Sequence, residues 1–258
     1  MEFKNFLLDV QNKVAVLTIN RPEVRNAMNA ECWEELGQFI DYVNRDENVN
    51  VAIITGAGEK AFIAGADLNS LRKLTPVDAF KGAGRAVVNK IEDCSKPVIA
   101  AINGMAFGGG FELTLACDIR VVAENAIFGL PEAGLGILPG LGGTQRLSKI
   151  IGLGRTKEMI LAGRTIAASE AVQLGLAHKC VPQSELMNEA CAVAKSMMQK
   201  GPLALSICKK LIKASMSTDQ ETGLLLELFG LGICLGSEDK TEGIDAFFEK
   251  RKPDFRGR

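Results

Sequence analysis

The chain has 258 residues, with 30 Lys and Arg against 31 Asp and Glu, one His, and 47% apolar residues. A formal charge of −1 generates no field to gather phosphate backbones or anionic lipid, so nucleic acid and membrane surfaces are poor partners. A small-molecule pocket in a sizeable core is the better expectation.

The opening MEFKNFLLDVQNK breaks its apolar residues with Glu2, Lys4 and Asp9, unlike a signal peptide, which points to the cytoplasm. Residues 6–10 and 14–19 read as two strands closed by Asn20-Arg21-Pro22, a first hairpin. Residues 30–46 place Cys32, Trp33, Leu36, Phe39, Ile40 and Val43 at helical spacing, and the β-rich run 49–55 follows. Gly56-Ala-Gly58-Glu-Lys-Ala61 formally fits a dinucleotide fingerprint. A second glycine break stands where the helix should run, so it reads as a turn. Residues 77–91 read as a helix and 97–102 as a buried strand. The longest uncharged stretch, 97–111, is 15 residues, short of the ~18 a membrane span requires.

Twelve of the 27 glycines lie between Gly104 and Gly154, a density that marks close approach of backbone to backbone or ligand. Within that region 111–117 reads as a short helix, 119–122 as a strand and 144–151 as a helix. Residues 175–181 read as a short strand holding His178. This single imidazole would have to serve any catalytic triad or histidine metal site, and no GxSxG elbow occurs, so a structural role is the better reading and no metal site is expected. Helical spacing then covers 168–174, 184–199, 203–215, 220–236 and 239–251. The predicted layout is an α/β core over 1–195 carrying the site, and a helical region over 196–258 of the kind that packs on neighbours. Seven cysteines without a CxxC pair read as reduced thiols serving as small core residues.

Two carboxylates stand out. In Asn103-Gly-Met-Ala-Phe-Gly-Gly-Gly-Phe-Glu112, three glycines precede a helix start whose unpartnered N–H groups can bind an oxygen gaining negative charge, with Glu112 beside them. Glu132, in Phe128-Gly-Leu-Pro-Glu132, is the only charge in an apolar, glycine-rich loop from 126 to 143, where burial would raise its pKa. Together they form a plausible acid–base pair. Glycoside hydrolysis also uses two carboxylates, but with only Trp33 and Tyr42 to add to the phenylalanines a sugar cleft ranks low. Lys195, Lys200, Lys209, Lys210 and Lys213 could form an RNA or phosphate surface, though a solvated face is the simpler reading.

Ordered blocks along nearly the whole chain resemble the crotonase (enoyl-CoA hydratase/isomerase) family. They are Asn20-Arg-Pro22 with Asn26-Ala-Met28, Phe62-Ile-Ala-Gly-Ala-Asp67, Lys96-Pro-Val-Ile-Ala-Ala-Ile-Asn-Gly104, Gly108-Gly-Gly-Phe-Glu112, Cys117-Asp-Ile-Arg120, Phe128-Gly-Leu-Pro-Glu132, Pro139-Gly-Leu-Gly-Gly-Thr-Gln-Arg146 and Phe247-Phe-Glu-Lys-Arg-Lys-Pro253. The resemblance implies an α/β spiral of ββα units with a C-terminal helical trimerisation region, giving a homotrimer or a hexamer of paired trimers. It implies no permanently bound cofactor, the substrate arriving as a coenzyme A thioester. The oxyanion hole would be the N–H groups of Ala66 and Gly109. CoA and substrate contacts would fall at Val24, Lys60, Ala64, Asp67, Leu68 and Gly140. Glutamates at both 112 and 132 are similar to members that hydrate the 2,3 double bond of short-chain enoyl-CoA. Glu112 is assigned to the water and Glu132 to the C2 proton, the converse being open. A double-bond isomerase and an RNA-binding homologue are the alternatives. Arg25 and Asn69 depart from the family's usual residues at their positions.

Overall fold

The computed structural model describes residues 2–258; Met1, the first residue of the stretch read as unlike a signal peptide, lies outside them. Strands β1 (Phe6–Gln11) and β2 (Val14–Ile19) form the expected antiparallel hairpin. Asn12 and Lys13 close it with φ of 50° and 64°, the double positive φ of a tight turn whose twist suits the strands. Next come α1 (Ala30–Arg45), β3 (Val51–Gly56), β4 (Ala61–Ile63), α2 (Leu68–Leu71), α3 (Pro76–Lys81), α4 (Ala83–Asp93), β5 (Val98–Ile102), β6 (Met105–Phe107) and α5 (Gly109–Ala116). They are followed by β7 (Ile119–Ala123), β8 (Ile127–Gly129), α6 (Gly143–Ile151), α7 (Leu153–Leu161), β9 (Ile166–Ala167), α8 (Ala168–Gln173), β10 (Lys179–Val181) and α9 (Leu186–Met197). The chain ends in α10 (Pro202–Ala214), α11 (Gln220–Leu235) and α12 (Glu238–Phe248).

Among the described residues six strands form one sheet, in order β1-β2-β3-β5-β7-β10, and four form another, in order β4-β6-β8-β9. The pairs β3–β4, β5–β6 and β7–β8 each send one strand to either sheet before the chain returns through helix, so the expected ββα spiral is present. The central strands of the large sheet are buried on both faces. Ala52, Ile54, Ala100, Ile102 and Val122 pack towards Leu36, Phe39, Ile40 and Val43 of α1. Val51, Ile53, Ile99, Ala101, Val121 and Ala123 pack towards Leu186, Ala190 and Ala194 of α9. Double burial explains why these strands read as unbroken apolar runs. Lys209, with its side chain 11% exposed, pins α10 to this body. Its ammonium donates to Asp118 (2.8 Å) and to the carbonyls of Ile91 and Lys96 (both 3.3 Å).

Several expectations need correction. The helix expected over 77–91 is two helices, because Gly82 takes φ +62° and Thr75 with Asp78 forms a capping box that starts α3 separately. The helix expected from 111 starts at Gly109: glycine is a poor helix former, but Gly110 lies where any side chain would strike β4. Strands β4, β6, β8 and β9 span three residues or fewer, too short for a period to register. Helix α7 was missed because glycines stand at 152 and 154. Of the cysteines only Cys32, Cys94 and Cys117 are fully buried; Cys191 and Cys208 are exposed, on outward faces of α9 and α10. His178 is exposed, its backbone N–H donating to Arg120 O. No helix among the described residues is long and apolar enough to cross a membrane.

A Cβ on Gly110 would lie 2.6 Å from both Cγ2 and the carbonyl oxygen of Ile63. Gly110→Ala should therefore destabilise the protein by roughly 3 kcal/mol despite its better helix propensity; urea unfolding that shows no loss would refute this packing.

Candidate active site

The site begins with two main-chain N–H groups left over by the strand pairing. Strands β4 and β6 run parallel, with Ile63 opposite Ala106, and Ala66 and Gly109 each lie three residues beyond that pair. Past β4, Met28 forms an isolated parallel bridge with Ala66. Met28 N–H donates to Gly65 O (2.9 Å) and Asp67 N–H to Met28 O (2.8 Å). A parallel bridge of this kind uses the amides flanking the central residue, so the Ala66 N–H has no acceptor among the described residues. Past β6, Gly108 turns with φ 52° and ψ −131°, a conformation reserved for glycine. Gly109 then opens α5 as its first residue, and its N–H finds no intrahelical carbonyl. The two turns nearly touch: a Cβ on Gly108 would lie 3.8 Å from Gly65 Cα.

Glu112 lies three residues along α5 from Gly109 and is 1% exposed. Its Oε1 accepts two N–H bonds from the loop before α6, from Leu141 (2.8 Å) and Gly143 (2.7 Å). Oε2 accepts none among the described residues. Glycine at 143 leaves room for this contact, since a Cβ there would come 3.0 Å from Glu112 Oε1 and press the carboxylate aside. Burial pushes the Glu112 pKa up, the two N–H groups and the Arg146 charge pull it back, and the net direction is upward.

Glu132 arrives from the other side. It opens a single 3-10 turn, Glu132–Leu135, after Pro131, and its Oε1 would be 3.0 Å from a Cβ on Gly108. Its Oε2 is buried without any hydrogen-bond partner. Burial, with a smaller contribution from the charge of Glu112, raises its pKa from 4.5 to about 7. The arrangement joins an N–H pair able to hold a developing oxyanion, an anchored carboxylate, and a carboxyl that gains and loses its proton near neutrality.

The structure therefore brings Glu112, Glu132, Ala66 and Gly109 together. Val24, Ala64 and Leu68 border the same turn: Ala64 N–H donates to Arg25 O (3.1 Å), and Val24 and Leu68 are exposed. The Asp67 carboxylate is engaged within the protein. It caps α2 through the N–H groups of Asn69 and Ser70 and lies 3.7 Å from Arg21. Lys60 precedes β4, exposed, its ammonium unpaired among the described residues, and Gly140 is exposed in the loop before Leu141. Sequence reasoning missed Leu141 and Gly143 as partners of Glu112, for which the Gly142-Gly143 doublet was the one available signal. It also missed the Trp33 indole, whose Cζ2 would lie 3.4 Å from a Cβ on Gly109, beside Leu141 Cδ1 at 3.1 Å.

The family profile described as enoyl-CoA hydratase/isomerase matches residues 9–258. A short-chain-enoyl-CoA hydratase of Clostridium acetobutylicum is 43% identical over 254 residues, covering 98% of this chain and 97% of that protein. A crotonyl-CoA hydratase of Syntrophomonas wolfei is 42% identical, with 99% of each chain covered. The crystal structure of an enoyl-CoA hydratase from Bacillus anthracis superposes with a TM-score of 0.95 at 40% identity, covering 99% of this chain and 100% of that one.

Unfolding frees the Glu132 carboxyl to ionise at its ordinary 4.5 instead of about 7. Between those pH values the unfolded state binds fewer protons, so this group's contribution lowers stability progressively as pH rises, and fully above the folded pKa. Glu132→Gln should therefore be more stable than the parent above neutrality, by on the order of 2 kcal/mol, with the gap closing towards pH 4.5. Thermal melts across this range check the sign; an equal or lower melting temperature for the variant above neutrality would contradict the burial described.

Proposed function

The chain belongs to the enoyl-CoA hydratase/isomerase family, and from that premise we propose that its site hydrates the 2,3 double bond of short-chain enoyl-CoA, crotonyl-CoA giving 3-hydroxybutyryl-CoA. The reaction is reversible, the same groups dehydrating the 3-hydroxyacyl thioester. The observation that carries the reading is the convergence of a proton-carrying carboxyl and an anchored carboxylate on one free helix-terminal N–H. The Ala66 and Gly109 N–H groups take the thioester oxygen, and each donor lowers the barrier by roughly 3 kcal/mol as charge moves onto that oxygen. C3 becomes electrophilic. Glu112, with Oε1 fixed by Leu141 and Gly143, uses Oε2 to orient and deprotonate the water. Protonated Glu132, with a carboxyl oxygen otherwise lacking a partner, delivers its proton to C2.

The coenzyme A portion is assigned to the surface around Val24, Ala64, Asp67, Leu68 and Gly140, with Lys60 facing the phosphates; no resident cofactor enters the scheme. The short acyl chain is supported by Trp33 and Leu141, which crowd the space beside Gly109. Residues 196–258 are assigned to oligomerisation, in a homotrimer or a pair of trimers. In support, Leu224, Leu228, Phe229, Leu231 and Leu235 of α11 are exposed in the single chain, a larger apolar face than a monomer keeps in water. Seven free thiols favour a cytoplasmic setting. The nucleic-acid alternative loses ground because Lys209 and Lys213 are engaged by Asp118, Glu92 and Asp93.

Glu112→Gln and Glu132→Gln should each lower kcat for crotonyl-CoA by about 10²–10⁴-fold, with KM nearly unchanged, followed by the loss of enoyl-thioester absorbance. Full hydration by Glu112→Gln would remove the two-carboxylate mechanism. Trp33→Ala should shift the preference in kcat/KM from four-carbon towards longer enoyl esters by roughly 10-fold or more; an unaltered chain-length profile would show that the indole does not bound the acyl pocket.

A further inference from the structure

Arg146 reaches back from α6 over the loop that holds Glu112. Its Nη1 donates to Leu141 O (2.8 Å), and its backbone N–H donates to Gly142 O (2.8 Å). Gly142 turns at φ +112°, where a Cβ would come 3.1 Å from the guanidinium carbon. The other side of the guanidinium is fixed by α4. Nε and Nη2 donate to the two oxygens of Glu92 (3.2 and 2.8 Å), and Nη2 also to Asn89 Oδ1 (2.8 Å). The pair is largely shielded, with side chains 12% and 22% exposed. Burial works against the charge on Glu92, but the Arg146 hydrogen bonds and Lys213 of α10, 3.6 Å away, hold its pKa below the ordinary value.

We propose that Arg146 and Glu92 are positioning residues for the reaction, acting through the 139–143 loop whose Leu141 and Gly143 N–H groups aim the Glu112 carboxylate. The inference rests on the hydratase reading of the site. The Arg146 guanidinium fixes the carbonyl of 141 while the amides of 141 and 143 hold Oε1, so the fork sets where Oε2 points. The charged groups around Glu112 are few: Arg146 from α6, Glu132 from its turn, and Glu92 of α4 behind Arg146, while β4 and β6 contribute none. Loosening the fork weakens both N–H bonds to Glu112 and leaves burial to push its pKa further up. A small displacement of an attacking group lowers the rate far more than it lowers binding.

The test uses the full chain carrying Arg146→Gln or Glu92→Gln, each checked for fold by circular dichroism and melting temperature, with hydration of crotonyl-CoA followed across pH. Expected is a fall in kcat of roughly 10–100-fold with KM held within about two-fold, and a shift of the acid limb of kcat/KM to higher pH. In Glu92→Gln, which keeps the Arg146 charge that lowers the Glu112 pKa, a merely structural role would not move that limb to higher pH. If Arg146→Gln fails to fold, the isosteric Glu92→Gln decides, because it keeps the guanidinium and removes only the charge of its partner. A folded variant with parental kcat and an unmoved acid limb overturns the positioning role. A parent protein that does not hydrate crotonyl-CoA overturns the hydratase reading instead, so the two failures are separate.

Discussion

Everything in the site depends on two peptide N–H groups that the fold declines to pair. Ala66 is exposed and Gly109 half-buried, so neither N–H is sealed from an incoming acceptor, and the backbone around them leaves both without a protein partner. Strands β4 and β6 shift register once, between Ala61 and Ile63, and then end level at the Ile63–Ala106 pair. One is followed by a bridge that uses the amides on either side of Ala66, the other by a helix whose first N–H has nothing to bond. Gly65 and Gly108 allow the two turns to come together. The amides are parts of strand ends and a helix start, and they require no rearrangement when an oxygen arrives.

The carboxylates use opposite means of staying in a dry site. Glu112 is almost fully buried and partly offsets its desolvation with two N–H bonds to one oxygen, although burial still leaves its pKa raised. Glu132 has no such compensation on Oε2 and resolves the conflict by keeping its proton up to about pH 7. Two identical side chains thus meet different environments, which suits the division between base and acid proposed above.

What could be read from the sequence followed what is local. The central strands were legible because burial on both faces makes a continuous apolar run, and Glu112 because a glycine cluster before a helix start is a short-range pattern. Glu132 was legible as an isolated charge in an apolar loop. The partners of Glu112 were not, since the N–H groups that hold it come from 29 and 31 residues away. The free N–H of Ala66 depends on its pairing with Met28, set by the register of a segment far upstream. Strands of two or three residues carry no period of their own and exist because neighbouring turns of the spiral align them.

The spiral also separates what can vary from what cannot. Short strands and their tight glycine junctions set the reacting atoms. The outer part of the second turn, from Asp67 to Gly82, is built of brief capped pieces, α2 and α3, with Leu68, Leu74, Val77 and Phe80 exposed. If the acyl thioester enters where proposed, replacements along that exposed arc would alter what it meets first while the turns at Ala66 and Gly109 kept their geometry, so a single scaffold could drift between substrates without first losing its reaction.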